Sequence, residues 1–259
     1  MSLINNFAYS MFSFANPTKN HSTYAQIAEA SYDFSAQNKV VGNAIRNDKY
    51  TTSKDNGFQG CVYEMGDTVI VAYRGSDQGS LRDCQFDWKS NSQMMNGEIP
   101  EQYEDAMELY NRVSQDYEGT GKKIVVTGHS LGGSLAELVS ATSALGDNAP
   151  QAITFNSYGT MPIVYNANSI FTTTPNNVNY YIETDEHVGA ARPHNGMEIS
   201  MFSSDENPDP GRIGYGIFSI SGTEAHKISH FTNLNQFNFI EAYTMRNSSF
   251  TTDHRITRK

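Results

Sequence analysis

Between residues 123 and 145 the apolar pattern changes period in the space of five residues. IVVTG (124–128) is a continuous apolar run of strand type, and after Gly128-His129-Ser130-Leu131-Gly132 the apolar positions resume at helical spacing through SLAELVSATSAL. The strand is read over Lys123–Thr127, with further strands at Gln151–Asn156 (QAITFN) and Val178–Thr184 (VNYYIET). Upstream, TYAQIAEASYDF (23–34) places Tyr24, Ile27, Ala28, Ala30 and Ser31 at helical spacing and predicts an N-terminal helix. GFQGCVYEMGDTVIVAYRGS (57–76) reads as two strands joined at Met65-Gly66-Asp67, the second apolar enough to be central in a sheet. Residues 100–117 carry Tyr103, Met107, Tyr110 and Val113 along one helical stripe. MEISMFS (197–203) and RIGYGIFSISG (212–222) suggest an antiparallel or edge pair, and TNLNQFNFIEAYTM (232–245) a last helix before a polar, fraying tail at 246–259. Strands alternating with helices predict a mostly parallel central sheet with helices on both faces, in a single α/β domain over 1–259.

The junction at Ser130 carries the chemistry. A serine between a strand and a helix, with glycines two residues to either side, has the Gly-x-Ser-x-Gly pattern of a nucleophile elbow, the sharp turn of α/β-hydrolases that lifts a hydroxyl into a cleft. The bare pattern is weak in a chain with 20 glycines, and it is the strand before and the helix after that give it weight. A serine hydroxyl needs a base, and the base needs an orienting acid; in this fold both follow the serine, the acid first. Asp185 stands just past VNYYIET, at the C-terminal end of a predicted strand, where the sites of open α/β sheets lie. Asp147, Asp205 and Asp209 have the Asn or Pro neighbours of turn residues. Among the later histidines, His226 and His230 in GTEAHKISHF are the pair to weigh: His226 falls in the loop, and His230 beside Phe231 suits packing or capping. An oxyanion developing on the substrate would take the backbone N–H of Leu131 and a second donor from the end of an earlier strand, where Ser76 follows Gly75. Residues 77–100 are irregular and polar, with Phe86, Trp88, Met94 and Met95 as isolated apolar positions; Trp88, Met94 and Met95 are the candidate lid or substrate contacts.

Charge and cysteine content narrow the partners. Eighteen basic against 28 acidic residues give a net charge of −10, which disfavours nucleic acid and, diffusely, anionic membranes. Cys61 and Cys84 are too few for a disulfide framework and wrongly placed for zinc, so both are expected as free thiols. No run approaches a membrane span, and MSLINNFAYSMFSFANPTKN lacks a basic region ahead of a continuous apolar one. A soluble chain without a signal peptide is expected, cytoplasmic or exported by a signal-peptide-independent route.

AYRGSD, DWKSN, VTGHSLGGSLAELV, the aspartate of ETDEHVG and AHKISHF together resemble the class 3 lipases, the fungal triacylglycerol lipase-like branch of α/β-hydrolases, over about residues 24–240. Without signal peptide or disulfides, the chain is more similar to signal-less bacterial phospholipase A1 and lipase relatives, some exported by specialised secretion systems. The resemblance implies Ser130 as nucleophile, Asp185 as orienting acid, His226 as base, and Ser76 with Leu131 as the oxyanion hole. It sets Asp87, Trp88 and Asn91 in an Asp-Trp block and residues 81–98 where the family has a lid. The expected activity is hydrolysis of lipid carboxylic esters, of lipase or phospholipase A1 type, through an acyl-enzyme and with no metal or cofactor. Its partner is a lipid or other ester, with room for transient contact with a membrane interface and no protein partner indicated. Cleavage of soluble or feruloyl-type esters, and a catalytically silent relative that binds lipid or protein, are the alternatives.

Overall fold

The computed structural model describes residues 19–76, 89–90, 92–94, 96–143, 149–160, 163, 177–182, 197–202, 228–232, 238–242 and 255–256. One mixed sheet organises them. Its strands are β1 (Val40–Val41), β2 (Ala44–Arg46), β3 (Thr52–Ser53), β4 (Gln59–Met65), β5 (Thr68–Tyr73), β6 (Lys123–His129), β7 (Gln151–Phe155), β8 (Val178–Ile182), β9 (Met197–Phe202), β10 (Asn238–Ala242) and β11 (Arg255–Ile256). They lie side by side in chain order except that β3 pairs with β4 off the main path. β5 to β9 are parallel, and antiparallel pairs close both ends, β1, β2 and β4 on one side and β10 and β11 on the other. The parallel centre, β5 to β9, is that of an α/β-hydrolase fold, with the antiparallel pairs at its edges.

Helices cover both faces because the central strands are apolar on both. On β5, Ile70 and Ala72 join Val125, Ile153 and Phe155 under helix α1 (Lys19–Ala30), whose Tyr24, Ile27 and Ala28 fill that side. Val69, Val71 and Tyr73 face the other way, with Val126, against α2 (Gln102–Asp116) and α3 (Leu131–Thr142) through Leu109, Val113, Leu135 and Val139. A strand buried on both sides reads as a continuous apolar run, which is why TVIVAY carries no alternation. Cys61 of β4 is a buried free thiol, and burial pushes it up to about 12, so at neutral pH it is a protonated core side chain. Cys84 lies outside the described residues.

Three expectations change. α1 begins at Lys19 and ends at Ala30, four residues ahead of the span read from the sequence at both ends. The last helix read over 232–245 is replaced in part by β10, whose residues 238–242 pair antiparallel with β9. Phenylalanine, isoleucine and asparagine are poor helix formers, and the free edge of β9 rewards extended backbone in a segment whose helical preference is weak. Arg255–Ile256, inside the tail read as fraying, pairs with β10 as β11. Residues 212–222, read as a strand, lie outside the described residues. Among the described residues no helix is long and apolar enough to cross a membrane.

Candidate active site

β6 runs directly into α3 with Ser130 as the only residue between them. Its backbone is at φ 55°, ψ −127°, a region that side-chain-bearing residues avoid, at a typical cost of about 1–3 kcal/mol. Two bonds hold it there: the Ser130 N–H donates to Phe155 O of β7 at 3.0 Å, and Ser130 O accepts the Ser134 N–H at 3.1 Å, starting the helix. A serine in this position ordinarily turns its hydroxyl back to cap the helix, and Ser130 makes no such bond. It is 8% exposed, at the C-terminal edge of the parallel strands. Leu131, fully buried, is the first residue of α3, whose opening N–H groups have no carbonyl one turn back to bond.

The glycines permit this turn by their size. A Cβ on Gly132 would penetrate Tyr73 O and stand 2.7 Å from Arg74 C; one on Gly128 would overlap the Gly132 backbone. α3 therefore lies against the end of β5, and the end of β5 lies against the serine. A Cβ on Gly75 would meet Tyr32 Oη and His129 O and come within 3.3 Å of Ser130 Cβ. The β5 exit is itself anchored: the Arg74 N–H donates to Gln59 O at 3.0 Å and its guanidinium to Gly57 O at 3.2 Å. Ser76, the candidate second oxyanion donor, is thus the residue after a glycine packed on the elbow, and it is partly exposed.

Tyr32 was not singled out by the sequence. Two residues past α1, its hydroxyl pairs with His129 Nδ1 at 2.9 Å, tying α1 to the residue before the serine. The partners are 97 positions apart and each sits in an ordinary pattern, so only the fold reveals the pair. Tyr32→Phe is expected to cost about 1 kcal/mol, a fall of about 2–4 °C in melting temperature, read by thermal and urea unfolding. A variant as stable as the parent would mean that this bond does not hold α1 to the elbow.

Met94, a candidate lid or substrate contact, is fully buried and clusters with Leu131, Leu138, Ala141, Tyr158 and Ile163. Trp88 and Met95 lie outside the described residues, as do Asp87 and Asn91. Asp185 and His226 also lie outside them. The neighbouring described residues are β8, which ends at Ile182 and runs parallel to β7, and the 3-10 turn Ile228–Phe231, which contains His230. Phe231 is fully buried with its ring 5.4 Å from that of Phe155, and Gln26 of α1 donates to Thr232 O at 2.9 Å. Asn156, just after β7, is also at positive φ, 44°, and fully buried. Asparagine is the side chain that best tolerates that region, so QAITFN held a turn signal at its end.

Residues 23–187 match the Tle-like phospholipase domain, a phospholipase-like family. The chain is also similar to a mutant form of MDLA from Penicillium cyclopium, at 19% identity and TM-score 0.48 over 80% of this chain and 93% of that one. Similar too are lipase II from Rhizopus niveus (18%, 0.47, 71% and 79%) and a propeptide complex of Rhizomucor miehei lipase (15%, 0.47, 70% and 67%). The sequence matches no curated protein.

Proposed function

The chain belongs to the family of Tle-like phospholipase domains, lipid ester hydrolases, and from that premise we propose that it cleaves the carboxylic esters of lipids, as a lipase or phospholipase A1, through Ser130, His226 and Asp185. The observation that carries the reading is the backbone of Ser130: a strained, non-glycine turn between strand and helix, with the hydroxyl not spent on capping. Such strain persists only where the surroundings over-determine it, and the close contacts of Gly75, Gly128 and Gly132 with two backbone bonds do so.

In this reading Ser130 Oγ attacks the ester carbonyl carbon while His226 takes its proton, and Asp185 stabilises the imidazolium. The negative charge moves to the carbonyl oxygen, facing the N–H of Leu131 and the N–H or hydroxyl of Ser76, each donor worth about 3 kcal/mol in the transition state. The C–O bond to the alcohol then breaks, His226 returns the proton to the leaving oxygen, and water releases the acid from the acyl-enzyme by the same steps. The two distant partners are supported by their flanks. Asp185 comes three residues after β8, a strand whose C-terminal end is at the same edge as Ser130. His226 comes two residues before a turn packed on Phe155, the residue whose carbonyl holds the Ser130 N–H. The phospholipase-like family matched by residues 23–187 supports a lipid ester over a small polar one.

The test combines an alkyl fluorophosphonate with a panel of phospholipids, glycerides and short soluble esters, product positions being read by mass spectrometry. Labelling at Ser130 and release of the sn-1 fatty acid are expected. A folded chain that the probe does not label would be a catalytically silent relative, and turnover confined to soluble esters would remove the lipid substrate.

A further inference from the structure

α3 carries a buried polar stripe where an apolar one is expected. Ser134, Glu137 and Ser140, at spacings of three, are at most 2% exposed and face β7. Ser140 bonds the start of the strand, donating to Pro150 O at 2.6 Å, with Asn177 Oδ1 at 3.1 Å. Glu137 bonds its end. Its Oε1 accepts from Ser157 Oγ at 2.6 Å and Thr154 Oγ1 at 3.2 Å, and its Oε2 from Thr160 Oγ1 at 2.9 Å. Ser134 Oγ adds a bond to Tyr158 O at 3.1 Å. A carboxylate is costly in a core unless hydroxyls or cations surround it, so this one serves something other than packing.

What it holds is the chain leaving β7. β6 lies between β5 and β7, so Ser130 has two neighbours at its edge of the sheet: the Arg74–Ser76 turn on one side and residues 156–160 on the other. A tetrahedral carbon on Ser130 Oγ directs its oxyanion to the first. The remaining arms of the ester need walls elsewhere, and the second neighbour brings an apolar pair: Tyr158 within it and Ile163 three residues beyond, the latter joined to Thr160 by its N–H at 3.0 Å, pack with Leu131 and Leu138. We propose that Glu137 is a specificity-determining positioning residue, which by holding Ser157 and Thr160 fixes the wall carrying Tyr158 and Ile163 and so sets the acyl-chain preference of the Ser130 site.

The inference rests on the hydrolase reading above, and the test separates the two. Glu137→Gln keeps the shape and replaces one acceptor by a donor; Thr160→Val removes one donor to the same carboxylate. Each is compared with the parent for kcat/KM on p-nitrophenyl laurate and butyrate and for the rate of fluorophosphonate labelling. Ser140→Ala, which cuts the same stripe at the far end of β7, is the control for lost stability. In Glu137→Gln the laurate-to-butyrate ratio is expected to fall about tenfold, with labelling within about threefold of the parent; Thr160→Val shifts the ratio the same way, and Ser140→Ala leaves it unchanged. Should Glu137→Gln not fold, Thr160→Val decides alone. An unchanged ratio in the folded variants, or an equal change in Ser140→Ala, overturns the proposal. A parent chain that neither labels nor turns over either ester overturns the hydrolase reading instead.

Discussion

Ser130→Ala is expected to lose ester hydrolysis by four or more orders of magnitude, and Ser130→Gly to lose it equally while becoming the more stable protein. The first half follows from the chemistry: removing the nucleophile of a serine triad typically costs about 10⁶ in kcat, the residue of catalysis coming from binding and the oxyanion donors. The second half follows from the backbone. Alanine keeps the Cβ, so at φ 55°, ψ −127° it keeps the strain, and Ser130 has no capping bond to lose. Glycine relieves about 1–3 kcal/mol of strain against about 0.5–1 kcal/mol of extra chain entropy, a net gain on the order of 1 kcal/mol. Turnover and urea unfolding of the two variants give both numbers. Undiminished turnover in Ser130→Ala would remove Ser130 from the mechanism, and a glycine variant less stable than the alanine one would mean that the turn is not strained.

The local parts of this arrangement are readable from sequence and the long-range parts are not. β4, β5, β6 and α2 fall within two residues of their expected bounds, because each is a long segment with one clear apolar period. β1, β2 and β3 are two or three residues long, shorter than any window in which a period can be seen. β10 shows the opposite failure: a segment with enough apolar residues for a helix is claimed by a sheet edge that its own sequence does not announce. The site divides in the same way. Ser130, Leu131 and the glycines belong to one motif, and Gly75-Ser76 ends a strand too apolar to mistake. Tyr32 and Glu137 act through partners 97, 17, 20 and 23 positions away, and nothing beside them in the chain distinguishes a phenol that grips the elbow from a surface tyrosine, or a buried carboxylate from an exposed helical one.

Gly132→Ala is expected to damage both folding and the site, and comparison with Gly66→Ala separates backbone conformation from contact. The added methyl at 132 has nowhere to go: it meets backbone atoms of Tyr73 and Arg74, and β5 cannot yield because it is paired to β4 on one side and β6 on the other. α3 cannot yield either, since Leu135 and Val139 are buried against the sheet. A clash with backbone in a packed core costs about 3 kcal/mol or more, a large share of a typical stability of about 5–15 kcal/mol. At Gly66 a Cβ meets nothing within 4 Å and the penalty is the positive φ of 60° alone, about 1 kcal/mol. Urea unfolding is therefore expected to place Gly132→Ala at least about 2 kcal/mol below Gly66→Ala. Activity should diverge further. Whatever fraction of Gly132→Ala folds must part α3 from the Arg74–Ser76 turn, and those elements carry the two proposed oxyanion donors; a displacement of about 1 Å there is worth about 10² in rate. Fluorophosphonate labelling of Ser130, corrected for folded fraction, should fall by that factor in Gly132→Ala and stay at the parent's rate in Gly66→Ala. Equal rates in the two variants would mean that the contact between the elbow helix and the β5 exit supports the fold without shaping the oxyanion site.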